Sequence, residues 1–404
     1  MNIVNYTYKF RIYPNKEQTT LLNKHLGCAR MVYNHFLAEH IQQYKDTGKS
    51  DSYNKQSKSL TALKKEEDYK WLNEVNSQSI QFALKCLENA YENFFAKRAK
   101  FPRYKAKRSK GKFTVPQSGK IQENKLFLPK FKQLIRVEID REIKGKIGKM
   151  SVTKNPNGHF YVSIFTEKVI KFLPKTGKQI GIDLGIKNFA ITSDGELYEN
   201  YRYTLKYAKK LRTAQKHLSR KKKGSNEYEK QRLKVARIHE KIANSRLDNL
   251  HKVSMKLVQE YDLIAIEDLH VKGMVRNKKL AKHISDVSWG TFITLLKYKC
   301  DWYGKDLVTI GRYYPSSKTC NKCKEINKNL KLSDRMWTCE FCKTLLDRDI
   351  NAAINILEEG LKIFSAGTVE YTDGDSSKTR SEHVQGKHGS VKSETQLIGS
   401  AVCG

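Results

Sequence analysis

The first hundred residues change from strand-like to helix-like spacing of apolar positions. The opening segment YTYKFRIYP alternates apolar and polar residues and ends at Pro14, which is typical of a strand followed by a helix. Apolar residues then recur at helical spacing over residues 22–36 and again over residues 80–94. We therefore predict a small helical domain over residues 15–98, with these stripes in its core.

The middle of the chain changes to short alternating runs. Between about residues 112 and 176 the runs KLFLPKF, LIRVEI, KMSVTKN and HFYVSIFTE are separated by Asn and Gly breaks. This pattern predicts a small antiparallel β-domain. From about residue 365 onward, Ser, Gly, Thr and charged residues show no sustained period, which predicts a disordered tail.

The region from residue 177 to 364 alternates strand and helix patterns. The segment KQIGIDLGIKNFAITSDGELY predicts two strands that are separated by turns, and YDLIAIEDL predicts a strand that is apolar on both faces. Residues 201–260 predict two long helices joined by a basic turn, and DRDINAAINIL predicts a further helix. This alternation indicates an α/β domain.

The charge of the chain indicates its class of partner. Seventy-seven Lys and Arg against 42 Asp and Glu leave a formal net charge of +35. So large an excess predicts a polyanion, with nucleic acid as the default and an anionic membrane surface as the alternative. We find neither an apolar run of transmembrane length nor a secretory signal pattern, so we predict a cytoplasmic protein without membrane association.

Two basic segments are candidate nucleic-acid contacts. Residues 97–112 contain nine basic residues, no acidic ones and two aromatic residues, a composition that suits phosphate contacts with stacking. The alternative for this segment is a solvated linker, and the alternative for the second basic segment, residues 221–223, is a solvated helix turn. The candidate residues are Lys97, Arg98, Lys100, Arg103, Tyr104, Lys105, Lys107 and Arg108, with Lys221, Lys222 and Lys223 in the second segment.

Three carboxylates are candidates for catalysis. Asp183 interrupts an apolar strand between Gly181 and Gly185, which we expect to leave room for a bulky anion. Glu267 ends the second strand, and Asp349 begins the last helix. Singly, each has an ordinary explanation in a hairpin, a strand end or a helix cap. Together they could hold two divalent cations about 4 Å apart and hydrolyse a phosphodiester, and Mg²⁺ suits such oxygen ligands.

Four of the eight cysteines form two CxxC pairs. Cys320 and Cys323 are followed, after fifteen residues, by Cys339 and Cys342. This spacing predicts a structural zinc ribbon with no open coordination position, against the alternative of four free thiols in a loop. Only six residues separate Cys342 from Asp349, so the ribbon should fix the approach of that carboxylate.

The ordered set GIDLGIKNFA, LIAIEDL, SSKTCNKCK, WTCEFC and DRDINAAINIL resembles the TnpB (OrfB) proteins of bacterial insertion sequences, which are related to compact type V CRISPR effectors. The resemblance covers nearly the whole chain apart from the tail. It implies a guide RNA, a double-stranded DNA target and a RuvC-like nuclease, with Asp183, Glu267 and Asp349 as its catalytic acids. Asp347 and Asp268 are the rival carboxylates, and the family pattern favours Asp349, two residues before Asn351.

The resemblance also implies the fold class. We expect a multidomain α+β protein in which a β-barrel-like domain with a helical insertion precedes a RuvC-like, ribonuclease H fold α/β domain with an inserted zinc ribbon. The expected domains are 1–14 with 99–176 (barrel-like), 15–98 (helical), 177–312 with 346–364 (nuclease), 313–345 (ribbon) and 365–404 (tail).

Two other functions remain open from the sequence. One is a nuclease that selects branched DNA by shape without a guide, and the other is a non-cutting, RNA-dependent DNA-binding repressor. Bound RNA would separate the first from a guided nuclease. Asp183→Ala would separate the second, since only a nuclease would lose an activity.

Overall fold

The computed structural model describes residues 2–107, 109–277, 280–331 and 333–367, and the tail predicted over residues 365–404 lies outside the described residues from residue 368 onward. The fold is mixed α/β, and the chain divides into two compact units. One unit comprises residues 3–169, and the other begins at residue 170. Among the described helices, none combines the length and apolar character that crossing a bilayer requires.

The first unit contains a seven-stranded sheet. Its strand order is β2-β6-β7-β1-β5-β4-β3. Strand β1 pairs antiparallel with β5, and β6 pairs antiparallel with β7. The strands are β1 (Asn2–Tyr13), β2 (Gly111–Val115), β3 (Lys120–Gln122), β4 (Lys125–Phe127), β5 (Ile135–Glu138), β6 (Lys146–Lys154) and β7 (Phe160–Ile170).

Helices lie between β1 and β2 in the chain. They are α1 (Lys16–Thr47), α2 (Tyr53–Leu63), a 3-10 helix (Glu67–Glu74) and α3 (Ser77–Phe95). Helix α1 begins with a capping box, in which Asn15 accepts from the Gln18 backbone N–H, and it ends at Gly48 in the left-handed conformation. The apolar stripes of α1 and α3 are buried together with the sheet in one hydrophobic core, as the periodicity predicts.

The second unit contains a five-stranded sheet of order β10-β9-β8-β11-β12. Strands β8, β9 and β10 pair antiparallel, whereas β8, β11 and β12 pair parallel. The strands are β8 (Gln179–Leu184), β9 (Asn188–Thr192), β10 (Leu197–Glu199), β11 (Leu263–Glu267) and β12 (Asp306–Ile310). Four of the five residues of β11 are buried, which agrees with the prediction of a strand covered on both faces.

Helices surround this sheet, and a small hairpin precedes the last one. The helices are α4 (Tyr203–Lys206), α5 (Ala208–Ser219), α6 (Asn226–Glu260), α7 (Val271–Met274), α8 (Ala281–Val287), α9 (Trp289–Tyr303) and α10 (Arg348–Ser365). The hairpin comprises β13 (Met336–Thr338) and β14 (Leu345–Asp347). The predicted pair of long helices over residues 201–260 is confirmed for α6, whereas its partner α5 has only 12 residues.

Candidate active site and metal centre

Asp183 and Glu267 lie at the same edge of the second sheet. Strands β8 and β11 are parallel, and Ile182 pairs with Ile266. Asp183 follows the first residue of this pair, and Glu267 follows the second. The two carboxylates therefore project from neighbouring strands near their carboxyl ends, which is where α/β sheets bind ligands.

Helix α10 brings Asp349 to this edge. It packs on β8 so closely that a Cβ at Gly181 would lie 2.1 Å from the carbonyl oxygen of Ala353. Asp347 is the N-cap, and its side chain accepts from the backbone N–H groups of Asp349 and Ile350. Asp349 therefore does not cap the helix, and its carboxylate is available for other partners.

The expectation that Gly181 and Gly185 leave room for an anion is wrong. The space next to Gly181 is filled by the backbone of α10, and a Cβ at Gly185 would lie 2.9 Å from the carbonyl oxygen of Asn188. Both glycines permit close approach, as a glycine in a strand often does. What approaches is the protein's own backbone.

The three acids interact electrostatically. Burial, followed by the negative charges of Glu267 and Asp349, raises the pKa of Asp183 to about 7, and the positive charges of Arg348 and Arg335 oppose this rise. Burial also raises the pKa of Glu267, against a hydrogen bond from the hydroxyl of Ser316. Negative charge from three distant segments therefore accumulates here, as it does where a cation is to be bound.

Asp349 is bound by two arginines. Its Oδ2 lies 2.8 Å from Nη1 of Arg335, which belongs to the segment between the CxxC pairs, and its Oδ1 lies 3.2 Å from Nε of Arg348. These guanidinium groups form ion pairs with the carboxylate, and Arg335 links it to the cysteine-containing segment.

The carboxylates are not tightly clustered. Across the described residues, the one group of three or more His, Cys, Asp or Glu whose ligand atoms all lie within 4.8 Å of one another consists of four cysteines. The three acids therefore do not form a compact single-ion cluster, whereas a two-ion site accepts ligands that are up to about 8 Å apart. Their all-oxygen donor set suits Mg²⁺.

The rival acids have other partners. Asp268 forms an ion pair with Arg312 at the surface, through Oδ2 and Nη2 at 2.5 Å. Asp347 caps α10, as described above. Glu267 and Asp349 also have partners, but they are the carboxylates whose charges raise the pKa of Asp183, which favours them over their neighbours as ligands at this site.

The four cysteines form a compact cluster that suits zinc. The Sγ atoms of Cys320 and Cys342 are 3.6 Å apart, and those of Cys323 and Cys339 are 3.5 Å apart. Tetrahedral Zn²⁺ with four thiolates requires sulfur separations of about 3.8 Å. The residue after each CxxC pair is a lysine, and each has positive φ, 66° at Lys324 and 59° at Lys343. Two similar turns thus present the four sulfurs.

A set of buried side chains, which was not predicted from the sequence, joins the cysteine cluster to the acids. On α10, Asn351 and Asn355 are buried, and their Nδ2 atoms donate to the carbonyl oxygen of Thr319 at 2.8 and 2.6 Å. Asn355 also donates to the carbonyl oxygen of Ser316 at 2.9 Å, and the Ser316 hydroxyl bonds Glu267. The signal was the spacing of two asparagines four residues apart in DRDINAAINIL, which lies on one face of a helix.

The first basic segment has mixed surroundings. Phe101 and Tyr104 are 45% and 58% exposed and could stack with bases. Lys105 is half-buried with its Nζ 3.8 Å from the ring centre of Tyr33, and its backbone bonds the side chain of Asn34 at both N–H and C=O. Lys97, Arg98, Lys100, Arg103 and Lys107 are exposed, and Arg108 lies outside the described residues.

The second basic segment forms the connection between α5 and α6. Lys221, Lys222 and Lys223 are all exposed there. Both basic segments therefore remain candidates, with their phosphate contacts still predictions.

Family models match three parts of the chain. An OrfB model described as "Probable transposase" matches residues 159–278, and a model described as "Cas12f1-like, TNB domain" matches residues 289–356. An OrfB model described as a helix-turn-helix domain matches residues 1–49. The described part of this last range contains strand β1 and the single helix α1.

Similar proteins span almost the full length of the chain. A protein of Streptomyces pristinaespiralis named "Putative RNA-guided DNA endonuclease" is 38% identical, over 94% of this chain and 95% of its own. "Putative RNA-guided DNA endonuclease InsQ" of Escherichia coli (strain K12) is 33% identical, over 89% and 93%. Among solved structures, a Cas12f1-sgRNA-target DNA complex matches with a TM-score of 0.55 at 13% identity, covering 88% of this chain and 99% of that one.

Proposed function

Because the chain belongs to the OrfB (TnpB) family of insertion-sequence proteins, we propose that it is an RNA-guided DNA endonuclease that hydrolyses phosphodiester bonds. Its partners would be a guide RNA and a double-stranded DNA target, with base pairing selecting the sequence. The relatives that carry this name match 94% and 89% of the chain, and the net charge of +35 suits two polyanionic partners.

The observation that carries the nuclease chemistry is the electrostatic coupling of three carboxylates. Asp183, Glu267 and Asp349 come from segments about eighty residues apart, yet the latter two raise the pKa of the first. Mutual repulsion of this kind costs stability unless a cation compensates it. If the three carboxylates had only a structural role, their mutual repulsion would destabilise the fold without a compensating function.

The sheet order supports a RuvC-like, ribonuclease H fold for the second unit. Three antiparallel strands continue into two parallel ones, and an acid lies at the end of each of the two central strands. The seven-stranded sheet and the helices that interrupt it support a β-barrel-like domain with a helical insertion. The barrel-like domain and its helical insertion would hold the guide-target heteroduplex and read the flanking DNA motif.

Asp183, Glu267 and Asp349 would hold two Mg²⁺ ions, which when bound supply an activated water and stabilise the leaving oxygen. The chain's own residues prepare this arrangement. The Ser316 hydroxyl orients the carboxylate of Glu267, and Arg335 and Arg348 orient that of Asp349. Glu267 lies at the end of a buried strand, which limits its motion.

Cys320, Cys323, Cys339 and Cys342 would hold one structural Zn²⁺. With four thiolates the coordination is complete, so the ion would not meet substrate. Its role would be to fix the segment that contributes Arg335 and Ser316.

The full-length protein, purified with its co-expressed element transcript, tests this function. Sequencing the bound RNA should give one defined transcript, and DNA matching its guide should be cut with Mg²⁺ and left intact with a chelator. Asp183→Ala should bind the same RNA and DNA without cutting. Cleavage of branched DNA without RNA would favour the unguided nuclease, and unimpaired function of Asp183→Ala would favour the repressor.

A further inference from the structure

Helices α4, α5 and α6 enclose a basic groove that the proposed catalytic site does not use. Its cavity volume is about 860 Å³. No acidic residue lines it, although α6 carries several acids. The groove cations are Lys206, Lys209, Lys210, Lys234, Arg237 and Lys241.

The groove cations form two facing stripes. On the first side, Lys209 and Lys210 lie in the first turn of α5, and Lys206 is the last residue of α4. On α6, Lys234, Arg237 and Lys241 follow i, i+3, i+7 spacing, which also gives one face. Like charges at these spacings destabilise a helix, so an isolated hairpin gains nothing from the arrangement.

Acids and cations are segregated along the hairpin. Outside the groove, Glu227 pairs with Lys230 at 2.8 Å, and Glu229 pairs with Arg232 at 2.7 Å. The six groove cations, by contrast, form no ion pair with any residue that the structure describes. Their side chains are exposed, which leaves the charges accessible to a partner.

The groove has a defined floor. Ala214 and Ile238 are buried beneath the cations, and Nε2 of Gln231 donates to the carbonyl oxygen of Ala214 at 2.9 Å, which ties α6 to α5. Nζ of Lys241 lies 5.5 Å from the ring centre of Tyr207, so one cation is positioned over an aromatic face. The spacing between the stripes is thus fixed by packing.

We propose that the α5–α6 groove binds the phosphodiester backbone of a nucleic-acid strand, with the two stripes contacting successive phosphates. Tyr207 is the one aromatic residue in the groove lining, which favours backbone contact over base stacking. This contact would be independent of sequence. It rests on the proposed function, because it specifies one surface by which the nuclease would hold its RNA or DNA.

The alternative location on this hairpin is its turn, which the sequence analysis favoured. The turn also carries three adjacent lysines, which are exposed and do not line the groove. A comparison of variants with equal charge change separates the two locations. The groove variant carries Lys210→Gln, Arg237→Gln and Lys241→Gln, and the turn variant carries Lys221→Gln, Lys222→Gln and Lys223→Gln.

The measurement is the affinity of the full-length protein for a labelled RNA of roughly 20 nucleotides, and for the matching DNA strand, at several salt concentrations. For the groove variant we expect affinity to fall about ten- to a hundredfold near 0.15 M salt, with the salt slope smaller by about 2 to 3. We expect little change for the turn variant. The two probes show whether RNA or DNA uses the groove.

Equal losses in both variants, or unchanged affinity in the groove variant, would overturn the proposal. Thermal unfolding of each variant checks its fold. If the groove variant does not fold, Lys210→Gln is compared with Lys222→Gln, because both side chains are exposed, and a slope difference below about 0.7 then counts against the groove. Absence of a bound transcript in the wild type would instead contradict the guided function, while groove binding to DNA could still hold.

Discussion

The cysteine cluster and the carboxylate site are two candidate metal centres of opposite construction. The four sulfurs come from one short segment, residues 320–342, and pairs of them are already at distances that suit a bound ion. The three carboxylates come from residues 183, 267 and 349, lie farther apart and have partners of their own. The four cysteines of a saturated zinc site can come from one short segment. The carboxylates of a site that must admit substrate come from distant segments and depend on the fold of the whole domain.

The two centres are also connected. Arg335 lies between the CxxC pairs and contacts Asp349, and Ser316 precedes the first pair and contacts Glu267. The comparison therefore predicts an asymmetry. Substitution of an acid should leave the cysteine cluster intact, whereas substitution of a cysteine should displace the acids.

The largest expected effect is at the central acid. Asp183→Asn should lower the cleavage rate by about 10³-fold or more, because several kcal/mol of transition-state stabilisation depend on ion binding there. Zinc content and RNA binding should be unchanged. The assay is single-turnover cleavage of guide-matched DNA, with zinc determined on the same sample.

Asp268→Asn is the matched control for this experiment. It removes an acid near the same sheet edge, but one that pairs with Arg312 at the surface. It should cut at close to the wild-type rate. Equal loss in both variants would show that charge in this region, rather than ion binding by Asp183, determines the rate.

The next effect tests the connection from the cysteine side. Cys320→Ser should lose zinc and lower cleavage about 10- to 100-fold, the range typical for residues that orient metal ligands. The control is Cys300→Ala, a buried cysteine on α9 outside the cluster, which should keep its zinc. Full cleavage by a zinc-free Cys320→Ser protein would contradict the connection.

A smaller effect is expected where α10 holds the segment before the cysteines. Asn355→Ala removes a buried donor to Ser316 and Thr319, which should destabilise the second unit by about 1–3 kcal/mol. We expect cleavage to fall about tenfold through displacement of Ser316, with zinc retained. Lys362→Ala, at an exposed position on the same helix, should affect neither. Loss of stability with unchanged cleavage would assign Asn355 to packing alone.

The smallest effect on activity is expected at a buried charge remote from both centres. Lys299 is 6% exposed and bonds the carbonyl oxygen of His251 and the hydroxyl of Ser254, and burial lowers its pKa to about 8. The folded state therefore binds the proton less well than the unfolded state does. The buried cation costs about 3 kcal/mol below pH 8, and this cost disappears as the pH rises from about 8 to about 10.5.

Lys299→Met tests this sign. Relative to the variant, the wild type should gain thermal stability between pH 8 and 10.5, and cleavage at pH 7.5 should be unchanged. A constant stability difference across that pH range would mean that the lysine is not deprotonated by burial.

Elements with local signals could be predicted from the sequence. The apolar stripes of α1 and α3, the buried strand β11 and the paired cysteines each depend on the spacing of nearby residues.

The connections among these elements could not be predicted in this way. Gly181 indicates that something comes close, but only the fold identifies it as α10. Likewise nothing in the local sequence singles out Arg335, and the spacing of Asn351 and Asn355 places them on one helix face without identifying their partners in the segment before the cysteines. The groove cations are scattered over 36 positions in the chain and face one another only in the folded hairpin.

The position of α10 in the fold has a consequence for protein synthesis. The N-terminal part of a chain emerges first from the ribosome. The strands that carry Asp183 and Glu267 therefore emerge well before the helix that covers Gly181 and carries Asp349. A nascent chain would thus have two of the proposed catalytic acids and lack the third. On the proposed function, nearly all the described residues must therefore be translated before the three acids can act together.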